Sequence, residues 1–272
     1  MRKLVVCYIL LLCACDAGGS PGLDAQVRAC GDFARPEVAI PICDRLLEDD
    51  TLGNEARAFA HYSRAMIAMD RQEMARALPD LDYAIRFDPS QSAYYASRGI
   101  VHGTLGDLSV AIDDFSRAIE LTPDDAVSLQ NRGKAYSDIG EQRLSLLDFS
   151  RAIALGNDQG DTRNGRCWAR AVLKEELELA REDCETAVRM APTQGKNLNS
   201  LAFVRFRSGD YAGAIDAYTA ALALDPARAS SYYMRGRAKA QINDPTAAED
   251  MAKGVSLEPG VAQRYAGYGI AP

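Results

Sequence analysis

Prolines at 89, 123, 192, 226 and 259 each close a stretch of helix-forming text, and Asn157 stands where another is due. The successive intervals are 34, 34, 35, 34 and 33 residues. Self-similarity at one fixed period constrains a fold more than any composition does, because each unit must bury its apolar face on its neighbours. The stretch Gly106–Pro123, GDLSVAIDDFSRAIELTP, returns at 209–226 as GDYAGAIDAYTAALALDP. Ala111, Phe115 and Ala118 in the first copy match Ala214, Tyr218 and Ala221 in the second. Separations of four and three residues put each trio on one helical face. Small residues let a neighbouring backbone come close, and the aromatic ring fills the space between.

The first half of each unit repeats as well. Ser97-Arg98-Gly99 with His102 matches Asn131-Arg132-Gly133 with Tyr136, and Met234-Arg235-Gly236 with Lys239. A helical glycine costs about 1 kcal/mol relative to alanine, so its return at 99, 133 and 236 predicts close contact with the partner helix. Gly106, Gly140 and Gly209 then end the first helix, and an acidic residue opens the second. The proline after the second helix is a stop. Each unit is therefore helix, tight turn, helix, loop. Arg98, Arg132, Arg166 and Arg235 keep the same period and belong to the scaffold, with carboxylates of the next unit as their expected partners.

This pattern resembles the tetratricopeptide repeat, a family of 34-residue helical pairs. The family's recurring small and aromatic places are met well at 92–125 and 126–159, with Asn157 at the proline place of the second. At 195–228 they fall on Ala202, Arg205, Gly209, Ala214, Tyr218, Ala221 and Pro226. The unit at 161–194 departs most: Trp168 stands for the first glycine, Ala171 for the tyrosine, Glu175 for the turn glycine and Cys184 for the aromatic, with one extra residue expected near Gly160. The unit at 229–261 is a residue short near Asn243-Asp244-Pro245 and has Met251 in the aromatic place, and 58–91 is recognisable from Ala65, Ala77, Leu81, Ala84 and Pro89. The resemblance implies an all-α fold, a right-handed α-solenoid of antiparallel helix pairs wound as a superhelix. Six units cover 58–261, preceded by a segment at 20–57 that holds half a repeat and followed by a short tail at 262–272. The last unit lacks a long polar cap, so its end face is expected to be exposed, covered by a partner or covered by a second copy.

Met1-Arg2-Lys3 followed by the apolar run Leu4–Cys15 reads as a secretory signal, too short to span a bilayer. Residues 1–19 are removed if the cut follows Gly19. Residues 1–14 are removed instead if Leu12-Cys13-Ala14-Cys15 acts as a lipoprotein box, with Cys15 lipidated and tethering the protein to a membrane. Four cysteines then remain, Cys30, Cys43, Cys167 and Cys184, an even set with three possible pairings. The local choice joins Cys30 to Cys43, which fastens the N-terminal segment across the end of the stack. Cys167 and Cys184 fall on facing helices of one unit, where a bridge and two buried thiols are both open. The expected setting is the bacterial periplasm or envelope.

A net charge of −7 without a Lys/Arg cluster argues against nucleic acid. His61 and His102 fall at helical places that take aromatic-sized side chains, and adjacent acids such as Asp113-Asp114 diverge on a helix. No nucleophile elbow, phosphate loop or dinucleotide fingerprint occurs. No catalytic residue, metal or cofactor is expected, and the chain reads as non-enzymatic.

The resemblance assigns the first helices' inner faces as the concave binding surface. Phe59, Tyr62, Met66 and Met69, with Ile100, form an apolar zone near the N-terminal end. Lys196, Asn199, Phe203, Phe206, Arg207, Tyr233 and Arg237 form an aromatic and cationic zone nearer the other end. Aromatics and arginine concentrate binding energy in interfaces, so the second zone suits a carboxylate-bearing peptide. The lysine–asparagine clamp by which some family members hold a terminal carboxylate is not carried over: only Lys196 and Asn199 suggest it, against Ala93, Ala96, Val127 and Gln130 elsewhere. The expected role is a scaffold binding a peptide segment or protein partner in the envelope. The alternative is a self-associating structural subunit of an envelope or secretion assembly, stacking through its C-terminal repeat.

Overall fold

The structure is a computed structural model that describes residues 21–270. The signal segment and the lipidation at Cys15 that the sequence leads one to expect lie outside the described residues. Fifteen helices follow one another, and no strand occurs among the described residues. They are α1 (Pro21–Cys30), α2 (Pro36–Leu47), α3 (Asn54–Asp70), α4 (Met74–Phe87), α5 (Ser92–Leu105), α6 (Leu108–Leu121), α7 (Ala126–Asp138) and α8 (Gln142–Ala154). After these come α9 (Gly160–Leu173), α10 (Leu177–Met190), α11 (Gly195–Arg207), α12 (Tyr211–Leu224), α13 (Ala229–Gln241), α14 (Ala247–Leu257) and α15 (Val261–Gly267). The chain forms two compact units, one ending at Ala135 and the other starting at Tyr136. Inside each unit, consecutive helices pack as antiparallel pairs, the arrangement of an α-solenoid.

Close approach sets the pairing. A Cβ added at Gly99 would lie 2.9 Å from the ring of Phe115, and one at Gly236 would lie 2.7 Å from the carbonyl oxygen of Ala247 and from Met251. The second helix thus occupies the volume that the glycine leaves empty. Gly106, at φ 95°, turns the chain between α5 and α6 in the left-handed region.

Arg98, Arg166 and Arg235 bind carboxylates of their own pair, and not those of the next unit as the sequence suggests. Arg98 donates from Nε and Nη2 to both oxygens of Asp114 at 3.0 and 2.7 Å, and its remaining arm reaches back to Asp82 of the preceding pair at 2.7 Å. Arg64 repeats this with Asp80 and Asp44, and Arg235 with Asp250. His61 joins the Asp80 pair at 2.8 Å and stacks on Tyr83. The direction follows from geometry: sixteen residues on, the chain has crossed the turn and lies alongside. In the pair α11–α12 the same two places hold Leu201 and Ala217, both buried. Replacing both partners of a buried ion pair by apolar residues leaves no charge uncompensated.

The ion pair also corrects the register of α9. Arg166 binds Asp183 at 2.7 Å through two donors, so it holds the place of Arg98. The residue after it, Cys167, therefore takes the place of Gly99, and Trp168 lies one position further on than the sequence suggests. Lys174, at φ 58°, takes the turn place that the sequence assigns to Glu175, and the extra residue sits in the turn before α10 and not near Gly160. Cys167 faces Cys184, which stands where other pairs carry the ring, and the two form a disulfide with Cα atoms 5.6 Å apart. A covalent link replaces the glycine–aromatic contact. Cys30 and Cys43 are also bridged, Cα atoms 4.9 Å apart, joining α1 to α2. The N-terminal segment is thus a whole helix pair, where the sequence suggests half of one. Leu46, Leu52, Ala56 and Ala60 close over that bridge.

Asp114→Ala leaves Arg98 half-buried without its main partner and is expected to cost about 3–5 kcal/mol. The double variant Arg98→Leu with Asp114→Ala copies the Leu201–Ala217 solution and should lose less than the single change in urea unfolding. Burial alone would raise the Asp80 and Asp250 carboxyls, but hydrogen bonds from His61 and Arg64, and from Arg235 and Lys239, hold both below their ordinary value. Carboxyls lowered in the folded state stabilise it above about pH 4, and that contribution is lost as pH falls through the folded values. An acid titration of the helical signal checks this: Asp80→Asn should unfold with a shallower pH dependence below pH 4. Reduction of the two bridges is expected to lower stability by about 3 kcal/mol each, from loops of 13 and 17 residues.

Candidate functional site

Three first helices of the second unit each turn a pair of side chains, four residues apart, to the same inner side. These are Trp168 and Val172 on α9, Phe203 and Arg207 on α11, and Tyr233 and Arg237 on α13. The corrected register makes Trp168, Phe203 and Arg237 equivalent residues of successive pairs. Trp168 and Phe203 have ring centroids 5.0 Å apart, and the Arg207 guanidinium lies 5.3 Å above the Phe203 ring. Such contacts suit an aromatic-lined groove bordered by cations.

The groove is filled by the end of the same chain. Tyr265 of α15 meets Phe203 edge-on at 5.6 Å and stacks on Tyr233 at 6.0 Å. Tyr268 meets Trp168 edge-on at 5.7 Å and lies 6.5 Å from Phe203. Arg207 donates to the carbonyl oxygens of Tyr268 and Val172, the latter at 3.3 Å. Its Nε is buried without a partner, and burial pushes the guanidinium below its ordinary value. The Nε of Arg237 is buried and unpartnered as well. Burial pushes the Tyr265 phenol up to about 12. Val261, Tyr265 and Ile270 are buried while Gln263, Arg264 and Ala266 face water, so the tail is amphipathic. The end of the last pair is therefore partly covered by its own chain, α15 packing on α13 and α14.

The structure gathers some of the sequence-derived residues here and disperses others. Phe203, Arg207 and Tyr233 converge on the tail, with Arg237 one turn beyond Tyr233 on α13, but Phe203 is 0 % and Tyr233 4 % exposed, so neither lies on an open face. Asn199 is buried too, accepting from Ser231 at 2.8 Å. Phe206 turns away to Tyr211, and Lys196 is exposed but paired with Asp161 at 2.9 Å. The apolar zone near the N-terminal end is mostly core. Tyr62 packs on Tyr94 at 4.8 Å, Met66 contacts Ser97, and both are buried between α3 and α5. Phe59 lies over Gly31, and Met69 is half-buried in the same cluster as Phe33. These places sit between successive first helices, where neighbours cover them. Trp168, Val172, Tyr265 and Tyr268 are the site residues that sequence reasoning missed. The signal for the last two is the tail text RYAGYGI, with aromatic residues three apart.

The family model described as "Tetratricopeptide repeat" matches residues 62–126, and one described as "TPR repeat" matches 204–243. The helix pairs, their contacts and these matches make the chain a tetratricopeptide repeat protein. No curated protein sequence matches it. Among solved structures it is similar to a tetratricopeptide repeat protein from Parabacteroides merdae, at TM-score 0.61 and 15% identity over 92% of this chain and 100% of that one. It is similar to Pseudomonas aeruginosa pilF at TM-score 0.60 and 18% identity, covering 78% and 98%. YrrB, described as having an unusual peptide-binding site, aligns at TM-score 0.53 and 19% identity, covering 66% and 92%.

Because Phe203 is a core residue, Phe203→Ala is expected to cost about 3–5 kcal/mol in denaturant unfolding. Phe206→Ala, at a partly buried ring turned to Tyr211, should lose much less in the same measurement.

Proposed function

We propose that this protein is a non-enzymatic scaffold that holds a peptide segment or a protein partner on the inner faces of α9, α11 and α13. The observation that carries this reading is the convergence of Trp168, Phe203 and Tyr233 with Arg207 and Arg237, two arginines whose buried Nε atoms have no partner. Donors left without a protein partner on a cationic, aromatic face suit a surface completed by a ligand. The peptide-binding site named for YrrB agrees with that use of the fold.

The setting we propose is the bacterial envelope, with residues 1–19 as an export signal, or 1–14 with Cys15 lipidated. Two disulfides favour an oxidising compartment, and among the described residues no helix is long and apolar enough to cross a membrane. The partner should carry carboxylates, since the groove is locally cationic on an acidic chain.

A photoreactive residue placed at Arg237 in living cells should crosslink a defined partner. With that partner purified, Arg237→Glu is expected to weaken binding about tenfold, or about 1.4 kcal/mol, with unfolding unchanged. Undiminished binding by Arg237→Glu would remove this face from the function. Release of the protein from membranes on Cys15→Ala tests lipidation.

A further inference from the structure

We propose that the segment Val261–Ile270 is a displaceable ligand held in cis, and that the partner taken in trans is an amphipathic helical segment with two aromatic side chains three residues apart and a carboxylate that meets Arg207. This rests on the peptide-binding reading of the inner face and specifies its ligand.

The tail shows what the groove accepts. Tyr265 of α15 and Tyr268, the residue just past its end, enter a slot formed by Trp168, Phe203 and Tyr233, touching three successive first helices. A helix of seven residues has little stability of its own, so its order comes from this seat. Gly267 and Gly269 loosen the chain on both sides of Tyr268. The seat is poorly matched in charge. Between Val261 and Ile270 the tail reads VAQRYAGYGI, with one cation, Arg264, and no carboxylate. Arg207 is left with two backbone carbonyls as partners, and its Nε and that of Arg237 have none. A carboxylate in the place of the Tyr268 carbonyl forms a charge-assisted bond about twice as strong as a neutral one. An acidic segment with the same aromatic spacing thus gains what the tail lacks. The tail has an advantage of a different kind: tethering gives it an effective concentration in the millimolar range. Weak or aromatic-only segments are kept out, and only a ligand that satisfies the arginines displaces it.

The chain carries one tryptophan, Trp168, in contact with Tyr268, so its emission reports the exchange. The probes are two synthetic peptides, VAQRYAGYGI and the same peptide with Arg264→Glu and Gly269→Glu, titrated into the full chain and into its Tyr265→Ala, Tyr268→Ala variant. The released variant is expected to bind both peptides, the acidic one at least tenfold more tightly. The unaltered chain should bind the acidic peptide at least tenfold more weakly than the variant does. Arg207→Gln in the released variant should abolish the preference for the acidic peptide. Equal affinity of the two proteins would overturn the cis-ligand proposal and leave peptide binding standing. If neither protein binds a peptide while the partner crosslinked at Arg237 still binds, the proposed ligand chemistry alone falls. Loss of both would remove the peptide-binding reading as well. A dimer of the unaltered chain with exchanged tails would reassign the occupant to a second copy and overturn the proposal. If the variant fails to fold, hydrogen exchange on the unaltered chain decides. Amides of 265–270 exchanging much faster than those of α11 support displacement, and equal protection marks the tail as a fixed cap.

Discussion

The helix pairs depend on one steric constraint: the second helix of a pair comes so close to the first that the contact position on the first helix takes only a glycine or another small residue, Gly99, Gly236, Ala65, Ala202 or Cys167. Gly99 gives way to Phe115, and Gly236 to the α14 backbone and Met251. Once backbones are that close, Arg98 reaches both oxygens of Asp114 without leaving its own pair, and Arg235 reaches Asp250 in the same way. The ion pairs are therefore a consequence of the approach and not its cause. The pair α11–α12 supports this order of dependence, since it keeps the packing with Leu201 and Ala217 where the charges would be. In α9–α10 the constraint is met covalently, by two small cysteines bridged across the contact.

That solution in α9–α10 has a consequence for the inner surface. With Cys167 at the contact place, Trp168 falls on the next residue, about 100° further round the helix. It is there equivalent to Phe203 of α11 and Arg237 of α13. The pair that departs most from the repeat thus supplies the largest ring of the groove. Departures from a local pattern are expected where a chain does something besides fold.

Most of the architecture was legible because its determinants are local. Period, turn glycines and stop prolines each act within a few residues, and they place the helices to within a turn. Two things were not. The direction of the arginine contacts and the register of α9 depend on how far the chain travels through a turn, and a single inserted residue at Lys174–Glu176 was invisible until the Arg166–Asp183 contact located it. The burial of Tyr62, Met66, Asn199, Phe203 and Tyr233 depends on what covers them, which the repeat pattern does not encode. For Phe203 and Tyr233 the cover is Tyr265, at least 30 residues away and outside the repeats.

The tail connects the two kinds of information. A solenoid end must hide the face that the next repeat would have covered, and a short amphipathic helix after the last stop proline is a direct way to do so. Here Val261 and Tyr265 do that for α13 and α14, but the chain then continues past the end face to Trp168 on α9. Capping alone gives no reason to reach that far or to place Tyr268 over the ring of a diverged repeat. It also gives no reason for two half-buried arginines to hold unpaired Nε atoms on the same surface. A ligand surface accounts for all three features, because its donors are matched to a molecule that binds in place of the tail, and the tail needs only enough complementarity to hold the seat until that molecule arrives.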